Sequence, residues 1–181
     1  YFFCLFFLSI IFFWKNKSNE FLNILINEFW TGEKFISKKA EGSKKIPVTN
    51  GDSLISYIPL ILGKLLPSDI SDKMTAALKE EGRFLTDYGL ATESLRSPFY
   101  NPDGYWRGPV WAPVMMIMID ALHHTGDTEF AESLSAKYLN LVHTGGLAEN
   151  FDAKTGKGLR DKGFAWTSAV FLILNNYFYS L

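Results

Sequence analysis

Apolar positions recur at helical intervals along nearly the whole chain after Ser18. Phe21, Leu22, Leu25, Ile26, Phe29 and Trp30 fall at three- and four-residue steps, which is one face of a helix that Gly32 stops. Residues 33–52 lose this spacing, contain five Lys and close on the turn signal Asn50-Gly51-Asp52, so they read as an exposed loop. Ser53 to Leu66 is a second apolar helix with Pro59 as its expected kink. Pro67-Ser68-Asp69 opens a third, with Ser68 as the expected cap, an apolar stripe of Ile70, Met74, Ala77 and Leu78, and Gly82 as its end. Gly108-Pro109 starts a helix to Thr125 that is apolar on all sides and therefore needs cover all round. Asp127-Thr128-Glu129 begins a helix with a one-sided stripe of Phe130, Leu134, Tyr138 and Leu141. After a loop from Gly145 to Gly163, Phe164 to Leu181 is again apolar nearly all round. Helices covered on every side thus alternate with helices covered on one side, the signature of two helical layers. No strand alternation or βαβ rhythm interrupts them, and the expected class is all-α.

Residues 83–108 stand apart. Gly89, Pro98, Pro102, Gly104 and Gly108 punctuate a stretch rich in aromatic and polar side chains. Connections of this length in a compact domain tend to carry function.

Composition narrows the classes. With 16% aromatic residues and 18 basic against 19 acidic side chains, the chain is neither disordered nor built for a phosphate backbone, so no nucleic-acid partner is expected. Cys4 is the single cysteine, which excludes an internal disulfide framework and a thiolate cage. The chain begins at Tyr1 and runs apolar to Trp14, followed by Lys15-Asn16-Lys17. That run is shorter than the roughly 20 residues of a membrane span and lacks the leading charges of a signal peptide. A truncated membrane anchor, a core segment of a longer protein and a translation artefact all remain open for it. We therefore divide the chain into residues 1–17, of uncertain origin, and 18–181, and expect it to be a piece of something longer. A cytoplasmic location is expected, with a membrane-anchored or secreted one left open, and membrane interaction only if the first segment is an anchor.

Several motifs fail on spacing. Thr155-Gly156-Lys157-Gly158 lacks the phosphate-loop glycine, because Phe151 occupies its place. Asp152-Ala153-Lys154 begins like a calcium loop but puts Lys154 at a ligand position. His123-His124 fits the last turn of a helix, where positive charge is favoured. No metal and no cofactor is implied.

Three clusters survive. In Tyr105-Trp106-Arg107-Gly108-Pro109-Val110-Trp111 the aromatic faces suit the C–H faces of sugar rings, and Arg107 offers a rigid fork of donors. Buried packing of the same rings is the competing reading. In Leu147-Ala148-Glu149-Asn150-Phe151-Asp152 a partly desolvated carboxylate could act as a general base, against the alternative of two solvated loop acids. In Ala91-Thr92-Glu93-Ser94, Glu93 could bind hydroxyls or cap a helix.

The sequence Asp103-Gly104-Tyr105-Trp106-Arg107-Gly108-Pro109-Val110-Trp111, then Ala148-Glu149-Asn150-Phe151-Asp152 with Thr155-Gly156, then Phe164-Ala165-Trp166-Thr167-Ser168 resembles glycoside hydrolase family 63. It is most similar to that family's mannosylglycerate hydrolase-like, or glycogen-debranching-like, domains. The resemblance covers residues from about 18 to 181 and implies the C-terminal half of an (α/α)6 barrel with a carbohydrate substrate. It implies inverting hydrolysis of a glycosidic bond in an oligosaccharide or small glycoside. By the same resemblance Glu149 is the base that activates water, Tyr105, Trp106, Arg107, Trp111 and Trp166 line the sugar pocket, and Glu93 adds a polar contact. The family's general acid lies earlier in the barrel and matches no residue of this chain. Inversion needs two carboxyl groups roughly 6.5–9.5 Å apart, so the chain alone is expected to be inactive. Half a barrel should also leave inner helices such as 109–125 with a bare apolar flank, and with it poor solubility. The rival readings are a non-catalytic carbohydrate-binding or scaffold module and a sugar epimerase or isomerase. The last needs histidines as proton shuttles, and His123, His124 and His143 fall at predicted helix ends.

Overall fold

The computed structural model describes the backbone of residues 2–179 and the side chains of residues 11–176. Cys4, most of the apolar opening run and residues 177–181 lie outside the described side chains. The chain divides into two compact units, Tyr1–Thr49 and Asn50–Leu181.

In the first unit, helix α1 (Phe2–Phe29) takes in both the apolar opening run and the helix predicted after Ser18. Leu22, Leu25, Ile26 and Phe29 are half-buried, while Ile11, Phe12, Phe13, Trp14, Phe21 and Ile24 are exposed. No helix of the described residues is long and apolar enough to cross a membrane. The predicted loop at 33–52 is instead largely a hairpin of β1 (Ser37–Glu41) and β2 (Lys44–Val48), in register Ser37↔Val48 to Glu41↔Lys44. A two-residue Gly42-Ser43 connection with positive φ at Gly42 suits a tight hairpin turn. Both strands are almost wholly exposed, so they lack the half-buried alternation by which strands are recognised in sequence.

The second unit carries the core. Its first element, Leu54–Leu65, is a 3-10 helix rather than the expected α-helix, and its break comes at Gly63, not Pro59. Gly63 adopts φ 53° and ψ −126°, and a Cβ there would lie 2.8 Å from that of His124, so close packing dictates both the residue and the kink. Helix α2 (Ser68–Lys79) starts at Ser68 itself, so its cap lies one residue earlier than predicted: Pro67 holds that position, and no side chain closes it. It buries Ile70, Met74, Thr75 and Leu78. Two-residue strands β3 (Leu85–Thr86) and β4 (Gly89–Leu90) then pair within the long irregular stretch.

Helix α3 (Ala112–Thr125) begins three residues later than the Pro109 start predicted; Trp111 is its cap residue and Pro113 sits in its first turn. It packs against the 3-10 helix, α4 (Thr128–Gly145) and α5 (Ala165–Tyr179). The expected bare flank on this helix is absent. Its apolar residues are buried or half-buried, and the exposed large apolar side chains described in this unit lie on α5 (Leu172, Ile173), on the 3-10 helix (Ile55, Ile61, Leu65) and in loops (Phe99, Leu147). Among its described side chains, helix α5 accordingly buries one side and not the whole circumference. The predicted loop between α4 and α5 is a second ribbon, β5 (Ala148–Phe151) against β6 (Gly158–Lys162). The unit is thus predominantly helical, with short ribbons where the sequence reads as loops.

Candidate active site

Strand β5 is the platform of the site. Its four residues are all buried, and it is held from three directions. On one edge it pairs with β6. On the other, Val110 N–H donates to Phe151 O at 2.8 Å and Phe151 N–H to Val110 O at 3.0 Å. At its end Thr167 donates to Ala148 O at 2.6 Å, and Gly163 and Phe164 N–H both donate to Leu147 O. Three sequence-distant motifs therefore meet because backbone groups of each complete the hydrogen bonding of one short strand.

The β5–β6 register is broken at Glu149. Ala148 faces Lys162 and Asn150 faces Leu159, so Arg160 and Asp161 together stand opposite the single residue Glu149. This is a β-bulge, a device that redirects a side chain and often adjoins active sites. Arg160 takes φ 59° there, a position that ordinarily favours glycine. Tyr105, with φ 52°, is the other non-glycine residue of positive φ among the described residues. Each such backbone costs about 1–2 kcal/mol, and the two strained residues touch each other.

Glu149 is 7% exposed, and its Oε1 accepts a hydrogen bond from the Tyr105 hydroxyl at 2.5 Å. Among the described residues nothing donates to its Oε2. Arg160 completes the group: Nη1 donates to the Tyr105 oxygen at 2.6 Å, and the guanidinium carbon sits 4.2 Å over the Tyr105 ring. Asp103 holds Arg160 in turn, accepting from Nε at 2.7 Å through Oδ1 and from Nη2 at 3.0 Å through its backbone carbonyl. The hydrogen bond to the Glu149 carboxylate raises the Tyr105 phenol above its ordinary range, and the Arg160 cation opposes that rise. Arg160 is itself stabilised as a cation, first by Asp103.

The indole rings surround this pair. Trp166 Nε1 donates to the Glu149 backbone carbonyl at 3.0 Å. Trp111 packs edge-to-face on Tyr105 (5.4 Å between centroids), Trp106 (5.6 Å) and Trp166 (5.6 Å), which makes it the hub of the aromatic cluster. Trp106 and Trp166 remain half-buried at its rim. The structure therefore brings Glu149, Tyr105, Trp106, Trp111 and Trp166 together.

Arg107 and Glu93 are placed differently. Arg107 is exposed and donates to Phe99 O at 3.4 Å; the guanidinium that joins the site is Arg160's, through the Tyr105 hydroxyl. Glu93, 3% exposed, accepts from Asp52 N–H at 2.8 Å and from the Ser97 hydroxyl. It ties the 50–53 segment, where Asp52 also pairs with Arg83 (2.7 and 3.0 Å), to the site loop. Asp152, the other acid of the second cluster, caps its own turn by accepting from Lys154 and Thr155 N–H at 2.8 and 2.9 Å. Sequence reasoning missed Asp103 and Arg160 as site residues, and Thr92 as the buried hub beneath them. Arg160 lies 57 residues from Asp103 in a ribbon that reads as a loop, so nothing local marks it. Among the described residues no group of three or more His, Cys, Asp or Glu is placed to hold a metal ion.

A family model for the mannosylglycerate hydrolase MGH1-like glycoside hydrolase domain matches residues 14–167. The chain belongs to this family. Mannosylglycerate hydrolase from Thermus thermophilus is 36% identical over 116 residues, covering 64% of this chain and 28% of that protein. A probable mannosyl-oligosaccharide glucosidase from Schizosaccharomyces pombe is 31% identical over 144 residues, covering 68% of this chain and 18% of that protein. The MGH1-like chain thus spans less than a third of the length of these curated relatives. Among solved structures, GH63 mannosylglycerate hydrolase from Thermus thermophilus in complex with glucose superposes with a TM-score of 0.63 at 28% identity, covering 71% of this chain and 32% of that one. Neutral trehalase Nth1 from Saccharomyces cerevisiae superposes over 92% of this chain with a TM-score of 0.71 at 21% identity, a likeness of fold. The MGH1-like chain shares its helical architecture with these (α/α)6-barrel proteins.

Proposed function

We propose that this chain supplies the water-activating part of an inverting glycoside hydrolase site. Glu149 is the general base, and a hexose glycoside stacks on the rim formed by Trp106 and Trp166. The observation that carries this reading is a buried carboxylate with one oxygen fixed by Tyr105 and the other without a donor among the described residues, beneath an aromatic cluster. In the reaction Oε2 takes a proton from water as its oxygen attacks the anomeric carbon opposite the leaving group. An acid must protonate the departing glycosidic oxygen at the same time. One carboxyl cannot do both, and an inverting pair stands roughly 6.5–9.5 Å apart to admit the water. The family resemblance matches the acid to no residue of this chain, so in this reading another barrel segment supplies it.

The names of the relatives support a substrate of this class: a mannosylglycerate or glucosylglycerate hydrolase acts on a small sugar–acid glycoside, and a mannosyl-oligosaccharide glucosidase on an oligosaccharide. The test is Glu149→Gln in a polypeptide that contains these residues and the acid-bearing barrel segment. Turnover should fall roughly 10²- to 10⁴-fold while saccharide binding persists. Near-normal turnover would remove Glu149 from the chemistry. Saccharide binding without turnover in the unsubstituted protein would favour a carbohydrate-binding module instead.

A further inference from the structure

We propose that Arg160 is a positioning residue that aims the Tyr105 hydroxyl at Glu149 and through it fixes the carboxylate to take the proton of the attacking water. The inference rests on Glu149 as the base, and it assigns a role to a residue that neither contacts the sugar rim nor carries a recognisable motif.

Three independent observations converge on it. The first is the bulge: two residues of β6 face Glu149, and the one in the left-handed conformation is an arginine. A glycine would adopt that backbone without strain, so the side chain, not the turn, accounts for the residue. The second is the donor arrangement. Of the five N–H donors of a guanidinium, Arg160 directs one at Tyr105 and two at Asp103, which clamps the fork in one orientation and leaves it poorly placed to grip a ligand. The third is direction. The cation donates to the same phenolic oxygen that donates to Glu149, so it polarises the hydroxyl and strengthens its bond to the carboxylate. Tyr105 is then a fixed relay: its backbone is held at positive φ, its ring lies under Arg160, and it packs edge-to-face with Trp111.

Arg160→Gly separates this role from a merely structural one. The substitution relieves the strained backbone while deleting a half-exposed side chain, so melting temperature should stay level or rise. Turnover should nevertheless fall roughly 10- to 100-fold, the range expected for losing one charge-assisted hydrogen bond. KM should move less than about threefold, because the rim tryptophans are untouched. Millimolar guanidinium ion, well below denaturing concentration, should restore part of kcat in Arg160→Gly and none in Glu149→Gln. The assay uses the same acid-containing polypeptide as above. Unchanged kcat, a rise in KM alone, or a joint loss of kcat and melting temperature without guanidinium rescue would overturn the positioning role while leaving Glu149 as the base. Full turnover in Glu149→Gln would instead remove the reading on which it rests.

Discussion

Thr92 is fully buried, and its hydroxyl is where the two site loops are joined. Oγ1 accepts from Gly108 N–H at 2.9 Å and donates to the Tyr105 carbonyl, with Pro109 O 3.1 Å away. Replacing it by valine keeps the volume and branching, so no cavity term enters. What changes is hydrogen bonding: Gly108 N–H and Tyr105 C=O lose the hydroxyl, while Pro109 O keeps the Thr92 N–H at 3.3 Å. A buried group stripped of its partner costs about 1–3 kcal/mol, partly offset because a methyl is cheaper to bury than a hydroxyl. With two groups stripped, Thr92→Val should lower stability by about 2–4 kcal/mol. Thr92→Ser keeps the hydroxyl, loses one methyl and should cost about 1 kcal/mol. Urea unfolding of the three proteins, read from the midpoints at unchanged slope, gives the comparison. Packing alone predicts the opposite order, so a valine variant as stable as the serine variant would refute the hydrogen-bond argument.

Two further outcomes follow from the same geometry. Gly108→Ala would drive a Cβ into the backbone oxygen of Asn101, so the 101–108 loop must open and break its 2.6 Å Asn101–Arg107 bond; a loss above about 3 kcal/mol in urea is expected, and one below about 1 kcal/mol would show that the loop yields freely. Tyr100 has its phenol pushed from about 10 up to about 12, first by burial and then by the charge of Asp152. Its contribution to stability is complete below the unfolded value and is lost as pH rises between those two values. Tyr100→Phe should thus flatten the alkaline decline of the melting temperature in that window. It should cost little at neutral pH, because the hydroxyl is buried without a hydrogen-bond partner among the described residues. An unaltered alkaline slope would assign the decline to other groups.

The site was legible in the sequence to the extent that its chemistry is local. Glycine-flanked aromatics at 105–111, the acid at 149 and the tryptophan at 166 are dense, unusual groupings, and each can be read without knowing its neighbours. Long helices were legible for the same reason: α2, α3 and α4 repeat their apolar residues over several turns, and their ends err by only a few residues. The hairpin at 37–48 was not, because strands exposed on nearly every residue carry no pattern that distinguishes them from a loop.

The sequence by itself thus determined a helical chain with an aromatic and carboxylate-bearing loop set, since side-chain periodicity and turn residues act over a few positions. Only the tertiary structure decided which of those side chains meet. Strand β5 borrows its hydrogen-bond partners from Val110, β6 and Thr167, and that pairing carries Tyr105 to Glu149. It also turned Glu93 toward the 50–53 segment, sent Arg107 outward and brought Arg160 in its place. Contacts between residues 44 and 57 positions apart depend on how backbone groups find partners across the fold, and no local pattern encodes that.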